Sequence, residues 1–141
     1  MRKPGKRSRR WRGLLCVTVA AAGVGGMAPR AGAAINTWTG GSATGNNWSD
    51  PANWGGTAPA NNGTAAIVFA GSTRILPNID TAFSVLSVAF NGGTSLMSQT
   101  GSNLTIGSGG ITNNSSAVQD FGNAFVILGT SQTWNAASGP I

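Results

Sequence analysis

Leu104-Thr105-Ile106-Gly107-Ser108 laid beside Val126-Ile127-Leu128-Gly129-Thr130 decides the reading of this chain, because the two pentapeptides match at an offset of 22 residues. Under that offset Asn113 falls on Asn135 and Ser116 on Ser138, whereas Gly110 meets Gln132 and Thr112 meets Trp134. Val85 precedes Leu104 by 19 residues, a spacing of the same order. A period of this length belongs to β-solenoids, in which each coil gives short parallel strands and its neighbours complete the hydrogen bonding. The match therefore predicts stacked coils, with Asn113 over Asn135 as an amide ladder. Two unrelated strands of a β-sandwich are the competing explanation.

Outward from that stretch, apolar residues arrive in short clusters: Ala65 to Phe69, Val85 to Phe90, Leu104 to Ile106 and Phe125 to Leu128. Runs rich in Val, Ile and Phe and bounded by Gly, Asn and Ser read as strands. No window carries a helical period. About half of the residues from Ala34 onward are Gly, Asn, Ser or Thr, a composition shared with disordered linkers, but the regular clusters argue for an ordered all-β body. Gly92-Gly93 and Gly109-Gly110 mark corners, where positive φ or close backbone approach is needed. Thr73 to Leu76 reads as a strand closed by Pro77, which cannot donate into a ladder. Arg74 and Asp80 are near enough in sequence to form a surface ion pair, an interaction worth about 0–1 kcal/mol.

The block from Ile35 to Pro59 differs from the rest, with Trp38, Trp48 and Trp54 set among Gly, Asn and Ser. In Trp48-Ser49-Asp50-Pro51-Ala52-Asn53-Trp54, Asp50 can cap a short turn and Pro51 supplies its fixed φ, which brings Trp48 and Trp54 to one side. Terminal units of repeat structures are atypical and shield the last layer, so the indoles read first as a cap. The alternative is a glycan-stacking platform of Trp38, Trp48 and Trp54 on a carbohydrate-binding β-sandwich.

The net charge of +6 would suggest an anionic partner, but seven of the nine Lys and Arg residues lie in the first twelve positions. Arg30 is the eighth, and beyond it Arg74 alone faces Asp50, Asp80 and Asp120. One arginine cannot build a basic patch, so nucleic acid is excluded as a partner. The basic run is followed by an apolar stretch of 14 residues, Gly13 to Gly26, and then by Ala31-Gly32-Ala33-Ala34. That order is a secretory signal, helical across its apolar part and too short for a spanning helix of roughly 20 residues. The pattern at Ala31 and Ala33 fits cleavage after Ala33, with the position after Ala34 as the competitor, so residues 1–33 are read as the signal. Arg9-Arg10 resembles a twin-arginine signal, but Arg12 stands where an apolar residue is expected, which favours the general secretory route. The single cysteine, Cys16, leaves with the signal, so the exported part has neither disulfides nor thiolate metal sites.

After the signal the chain contains no His, Cys, Glu or Lys. Nucleophile–base constellations and the usual metal ligands are thereby removed, and no cofactor is implied. Hydrolysis of a polysaccharide by two of Asp50, Asp80 and Asp120 would need the carboxyls about 5–10 Å apart. Three scattered aspartates are more simply turn residues, and they are too dispersed for calcium.

Taken together, Trp38-Thr39-Gly40-Gly41, the Trp48 to Trp54 segment, Leu104 to Asn113 and Leu128 to Asn135 resemble the N-terminal part of bacterial autotransporter-associated β-strand repeat proteins. The resemblance implies a β-helical passenger exported to the cell surface, displayed on or released from Gram-negative-type cells. It also implies a translocation barrel in the outer membrane or a sorting signal, carried by sequence beyond Ile141. The expectation is a short parallel β-helix with a Trp-rich cap and first strands over residues 34–82. Residues 83–141 are then the opening coils of a longer array. The function expected is non-enzymatic, a stalk-like or adhesin-like segment whose partner is a surface polysaccharide or a neighbouring cell.

Overall fold

The structure, a computed structural model, describes residues 32–95, 97–122 and 125–141. The signal read over residues 1–33 lies outside them through Ala31. The described chain is all-β. Its strands are β1 (Ile35–Trp38), β2 (Ala66–Phe69), β3 (Asn78–Ile79), β4 (Phe83–Phe90), β5 (Thr100–Gly101), β6 (Leu104–Asn113), β7 (Val126–Leu128) and β8 (Trp134–Asn135), with one 3-10 turn at Pro51–Trp54. Every strand pairing is parallel, in the orders β1-β2-β4-β6-β7 with β8 also on β6, and β3-β5. Parallel pairing of successive segments without intervening helices is a solenoid, here of about three turns with partial coils at each end. The β-sandwich is excluded, since it is built from antiparallel sheets.

Three faces build each coil. The first carries Phe83–Val85, Leu104–Ile106 and Val126–Leu128 in register. The second stacks Ile35–Trp38, Ala66–Phe69, Ser87–Phe90, Gly110–Asn113 and Trp134–Asn135. The third holds Asn47 on Asn78, β3 on β5, and Ser98 on Asp120. Along β4 the buried residues are Phe83, Val85, Val88 and Phe90, so alternation breaks between Val85 and Val88, where the strand turns from the first face to the second. In β6 the same break falls between Ile106 and Ile111. Most inward side chains of β2, β4 and β6 are β-branched or aromatic, as a pleated surface covered on one side favours, with Leu104 and Asn113 the exceptions in β6.

The register confirms the 22-residue match on the first face and corrects it beyond the corner. Leu104 lies on Val126 and Ile106 on Leu128, but Ile111 lies on Trp134 and Thr112 on Asn135. The corner of the last coil holds one residue more than the corner before it, so the frame slips by one and the Asn113–Asn135 ladder does not form. Asn113 is instead buried. Its amide donates to Ala117 O (2.9 Å) and Pro140 O (2.8 Å), and its Oδ1 accepts from Ser115 N (3.0 Å) and Oγ (2.8 Å). Likewise Leu104 lies on Phe83, 21 residues earlier, and not on Val85. The strand expected at Thr73–Leu76 is irregular chain, and pairing resumes after Pro77, in β3.

The core runs along the axis as a column of rings. Phe90 stacks on Phe69 at 5.1 Å with planes 13° apart, and Phe69 meets Trp38, Trp48 and Trp54 at 6.0, 6.1 and 6.3 Å. The first contact is stacked and the other three are tilted by about 50°, at separations within the range of aromatic pairs. Toward the C-terminal coils Phe90 meets Phe121 edge-on at 6.2 Å, and the rest of the core passes to Leu104, Ile106 and Ile111 and to the amides of Asn113 and Gln119.

Candidate functional site

The two ends of the solenoid are built differently, and the residues singled out by the sequence lie at the first. There the turn read at Asp50-Pro51 forms. Asp50 caps the 3-10 turn by accepting from Ala52 N at 3.0 Å, Pro51 opens it, and Gly55 closes it in the left-handed region at φ 73°. Trp48 and Trp54 are thereby brought together, with ring centroids 5.5 Å apart and planes at 82°, and Trp38 meets Trp54 at 5.0 Å. All three indoles are buried, and the Trp54 N–H donates to Trp48 O at 2.7 Å. The glycan-stacking reading of Trp38, Trp48 and Trp54 is corrected on this geometry: their faces are filled by one another and by Phe69 and Phe83. A hollow beside them, about 150 Å³ between Thr37–Thr39, Ala70, Gly71, Thr73 and Met97, is smaller than the roughly 300 Å³ at which ligand sites begin.

Two residues hold this end in place: Asn53, to which the sequence assigned no role, and Arg74, which it paired with Asp80. Asn53 is fully buried. Its amide donates to Gly45 O (3.1 Å) and Asn47 O (3.0 Å), its Oδ1 accepts from Ser42 N (3.1 Å), and its backbone carbonyl accepts from Thr39 N (2.7 Å). Arg74 does not pair with Asp80. Its guanidinium reaches back to Gly40 O (3.1 Å), Asn46 Oδ1 (2.7 Å) and Ser42 O, pinning the loop before Trp48 onto the second coil. Arg74 adopts φ 49°, a left-handed backbone that a non-glycine residue holds only when its surroundings over-determine it. The signal that could have found it is its solitude, since it is the one cation after Arg30 in a chain rich in carbonyl and amide acceptors.

Asp120 stands apart from the other two aspartates, whereas the Asp80 carboxylate binds Ser49, the residue beside Asp50. Asp80 accepts from Ser49 N at 3.0 Å and from its hydroxyl, and Asp120 accepts from Ser98 Oγ at 3.0 Å. On the third face Asp80 and Asp120 lie two rungs apart and four residues offset, a separation of about 15 Å from rung and residue spacings, beyond the reach of a glycosidase pair. Among the described residues no group of three or more His, Cys, Asp or Glu side chains gathers to hold a metal.

The Asp50 carboxyl is held below its ordinary range by the Ser42 hydroxyl first, then by the Ala52 N–H, with Arg74 adding a smaller attraction. A depressed folded-state pKa contributes stability above the unfolded value of about 3.9 and loses it as pH falls through the folded value. The cap is therefore expected to loosen only in acid, below about pH 4, seen as a Trp emission change. Asp50→Asn keeps the capping acceptor and should flatten that dependence; an unchanged acid transition in the variant would show that Asp50 does not carry it.

At the opposite end the core is uncovered. Leu128 and Trp134 occupy the columns of Ile106 and Ile111, which are wholly buried, yet they are 61% and 46% exposed. With Val126 and Gln132 they line an open hollow of about 520 Å³. Phe125 and Ile127 stand exposed beside it. No protein-family model matches the chain, and neither a curated protein nor a solved structure matches it.

Proposed function

We propose that this chain is a non-enzymatic segment exported to the cell surface, a stalk-like or adhesin-like passenger that enters by the general secretory route. One observation carries the reading. The three aspartates and Arg74, the only ionisable side chains after Arg30, each hold a turn or a loop of the coil, which leaves no charged group set aside for chemistry. A rod of stacked coils with such economy of charge separates or presents other parts. Its outer rows of Asn, Ser and Thr, such as the Asn47–Asn78 amide pair (2.9 Å), offer hydrogen bonds to a polysaccharide or a neighbouring cell surface.

The start of β1 supports the cleavage position. Ala34 O accepts from Ala66 N at 2.8 Å, so a chain beginning at Ala34 keeps the first rung whole, whereas a cut one residue later leaves that N–H without its acceptor. Expression of the full chain in a bacterial host, followed by fractionation and N-terminal sequencing, tests the proposal. The expected product is outside the cytoplasm and begins at Ala34. A cytoplasmic product retaining residues 1–33 would overturn the reading.

A further inference from the structure

We infer that Asn91 is a site of spontaneous covalent modification, at which the folded chain converts a side-chain amide into a carboxylate, and that the fold protects Asn62 from the same reaction. An asparagine followed by glycine is open to attack on its Cγ by the glycine's backbone nitrogen, because no Cβ hinders the approach. The chain holds two such pairs, Asn62-Gly63 and Asn91-Gly92. In sequence they are equivalent, and the structure separates them.

At the first pair both reacting groups are engaged. Asn62 Oδ1 accepts from Thr64 N at 3.2 Å and from Thr64 Oγ1 at 2.6 Å, which ties the side chain to the turn. The Gly63 N–H donates to Ser84 O of the next coil at 2.9 Å. Attack requires that nitrogen to give up its proton and to meet Cγ at a near-attack distance of about 3–3.5 Å. Both bonds to Thr64 and the bond between coils would have to break first.

At the second pair neither group is held. Asn91 follows Phe90, the last residue of β4, and opens a turn that Thr94 N closes on Asn91 O at 3.1 Å. Asn91, Gly92 and Gly93 are exposed, and a Cβ on either glycine would meet nothing within 4 Å. Among the described residues neither the Asn91 side chain nor the Gly92 N–H makes a hydrogen bond, whereas the flanks are fixed: Asn91 N and Thr94 Oγ1 each donate to Phe69 O at 2.9 Å. The tip can therefore rotate while the coil beneath it stays folded.

The reaction balances without an oxidant or reductant. Base removes the Gly92 amide proton, the nitrogen bonds to Asn91 Cγ, the Cγ–Nδ2 bond breaks and Nδ2 leaves as ammonia, giving a cyclic imide. Water then opens the imide. Cleavage of the new N–Cγ bond leaves aspartate, and cleavage of the original peptide bond leaves isoaspartate, with the main chain rerouted through Cγ. Either product adds a negative charge to a body that has one arginine and three aspartates after Arg30, and the second also lengthens the corner beside the stacked ring of Phe90.

Incubation of the full folded chain at mildly alkaline pH, followed by anion exchange and by peptide mapping with tandem mass spectrometry, tests the inference. The wild type should gain an acidic species that maps to Asn91 as aspartate and isoaspartate, at a rate at least about tenfold that at Asn62 and rising with pH. In urea the two pairs should react at similar rates, since the fold alone distinguishes them. Asn91→Gln, at an exposed position, should abolish the species while circular dichroism stays that of the wild type. Equal rates at the two pairs in the folded chain, faster reaction at Asn62, or no reaction at Asn91 until the chain is unfolded would each overturn the inference. So would a difference that persists in urea, by assigning it to the neighbouring residues in sequence.

Discussion

Phe69→Ala is expected to cost about 3–5 kcal/mol, the range for removing a fully buried ring whose surroundings cannot collapse into the space. Collapse is hindered here because Phe69 is held from both sides. Toward the first coil its ring meets all three indoles, and toward the next it lies flat on Phe90 at 5.1 Å. Its truncation therefore opens the axis of the solenoid and parts the cap from the coils. Against a total stability of about 5–15 kcal/mol for a domain of this size, most of the margin would be lost. Urea unfolding followed by Trp emission measures it. Phe69→Leu, which keeps much of the volume, should cost about 1.5 kcal/mol or less. Equal losses for the two variants would mean that ring stacking, and not filled volume, holds the cap.

The second large effect lies at the bulged corner of β6. Gly110 has φ 63°, and a Cβ there would stand 2.0 Å from Thr133 O, which belongs to the backbone of the next coil. Gly110→Val therefore meets two penalties, a left-handed backbone costing roughly 1–2 kcal/mol and a clash that only separation of the coils relieves. The last coil should detach: β8 leaves β6, and Trp134 passes from half-exposed to fully exposed. Acrylamide quenching of Trp emission and the loss of about 3 kcal/mol or more in urea unfolding would report it. Gly93 supplies the control. It has φ 82° but open space where a Cβ would go, so Gly93→Ala should lose only the backbone part, about 1–2 kcal/mol, and keep the last coil in place.

The solenoid was legible because its first face repeats without insertion. Leu104, Ile106, Val126 and Leu128 sit inward at a fixed spacing, and that spacing is visible in the letters. The corner between faces varies in length, with one residue between the paired Val85 and Ser87 and three between Ile106 and Gly110 opposite them. The frame beyond each corner therefore slips, and letter matches such as Asn113 with Asn135 lose their meaning. The third face left no trace, since Asn78–Ile79 and Thr100–Gly101 are two residues long and carry no apolar run.

At the cap, the Asp50–Pro51 turn was readable from local chemistry, whereas the burial of its three tryptophans depends on Phe69 and Phe83 arriving from later coils. Arg74 was misassigned for the same reason. Sequence proximity favoured Asp80, and the fold set Gly40, Ser42 and Asn46 beside it from about thirty residues away.

The aromatic column is densest in the first coils and after Phe90 continues only to the half-buried Phe121, beside aliphatic and amide side chains, so cohesion is graded along the axis. Local opening in such a structure starts where buried apolar contact is least. Backbone amides of β7 and β8 would accordingly exchange with solvent first, those of β6 next, and those of β2 and the second half of β4 only with global unfolding. The molecule thus frays from one end like a zipper anchored at its tryptophans.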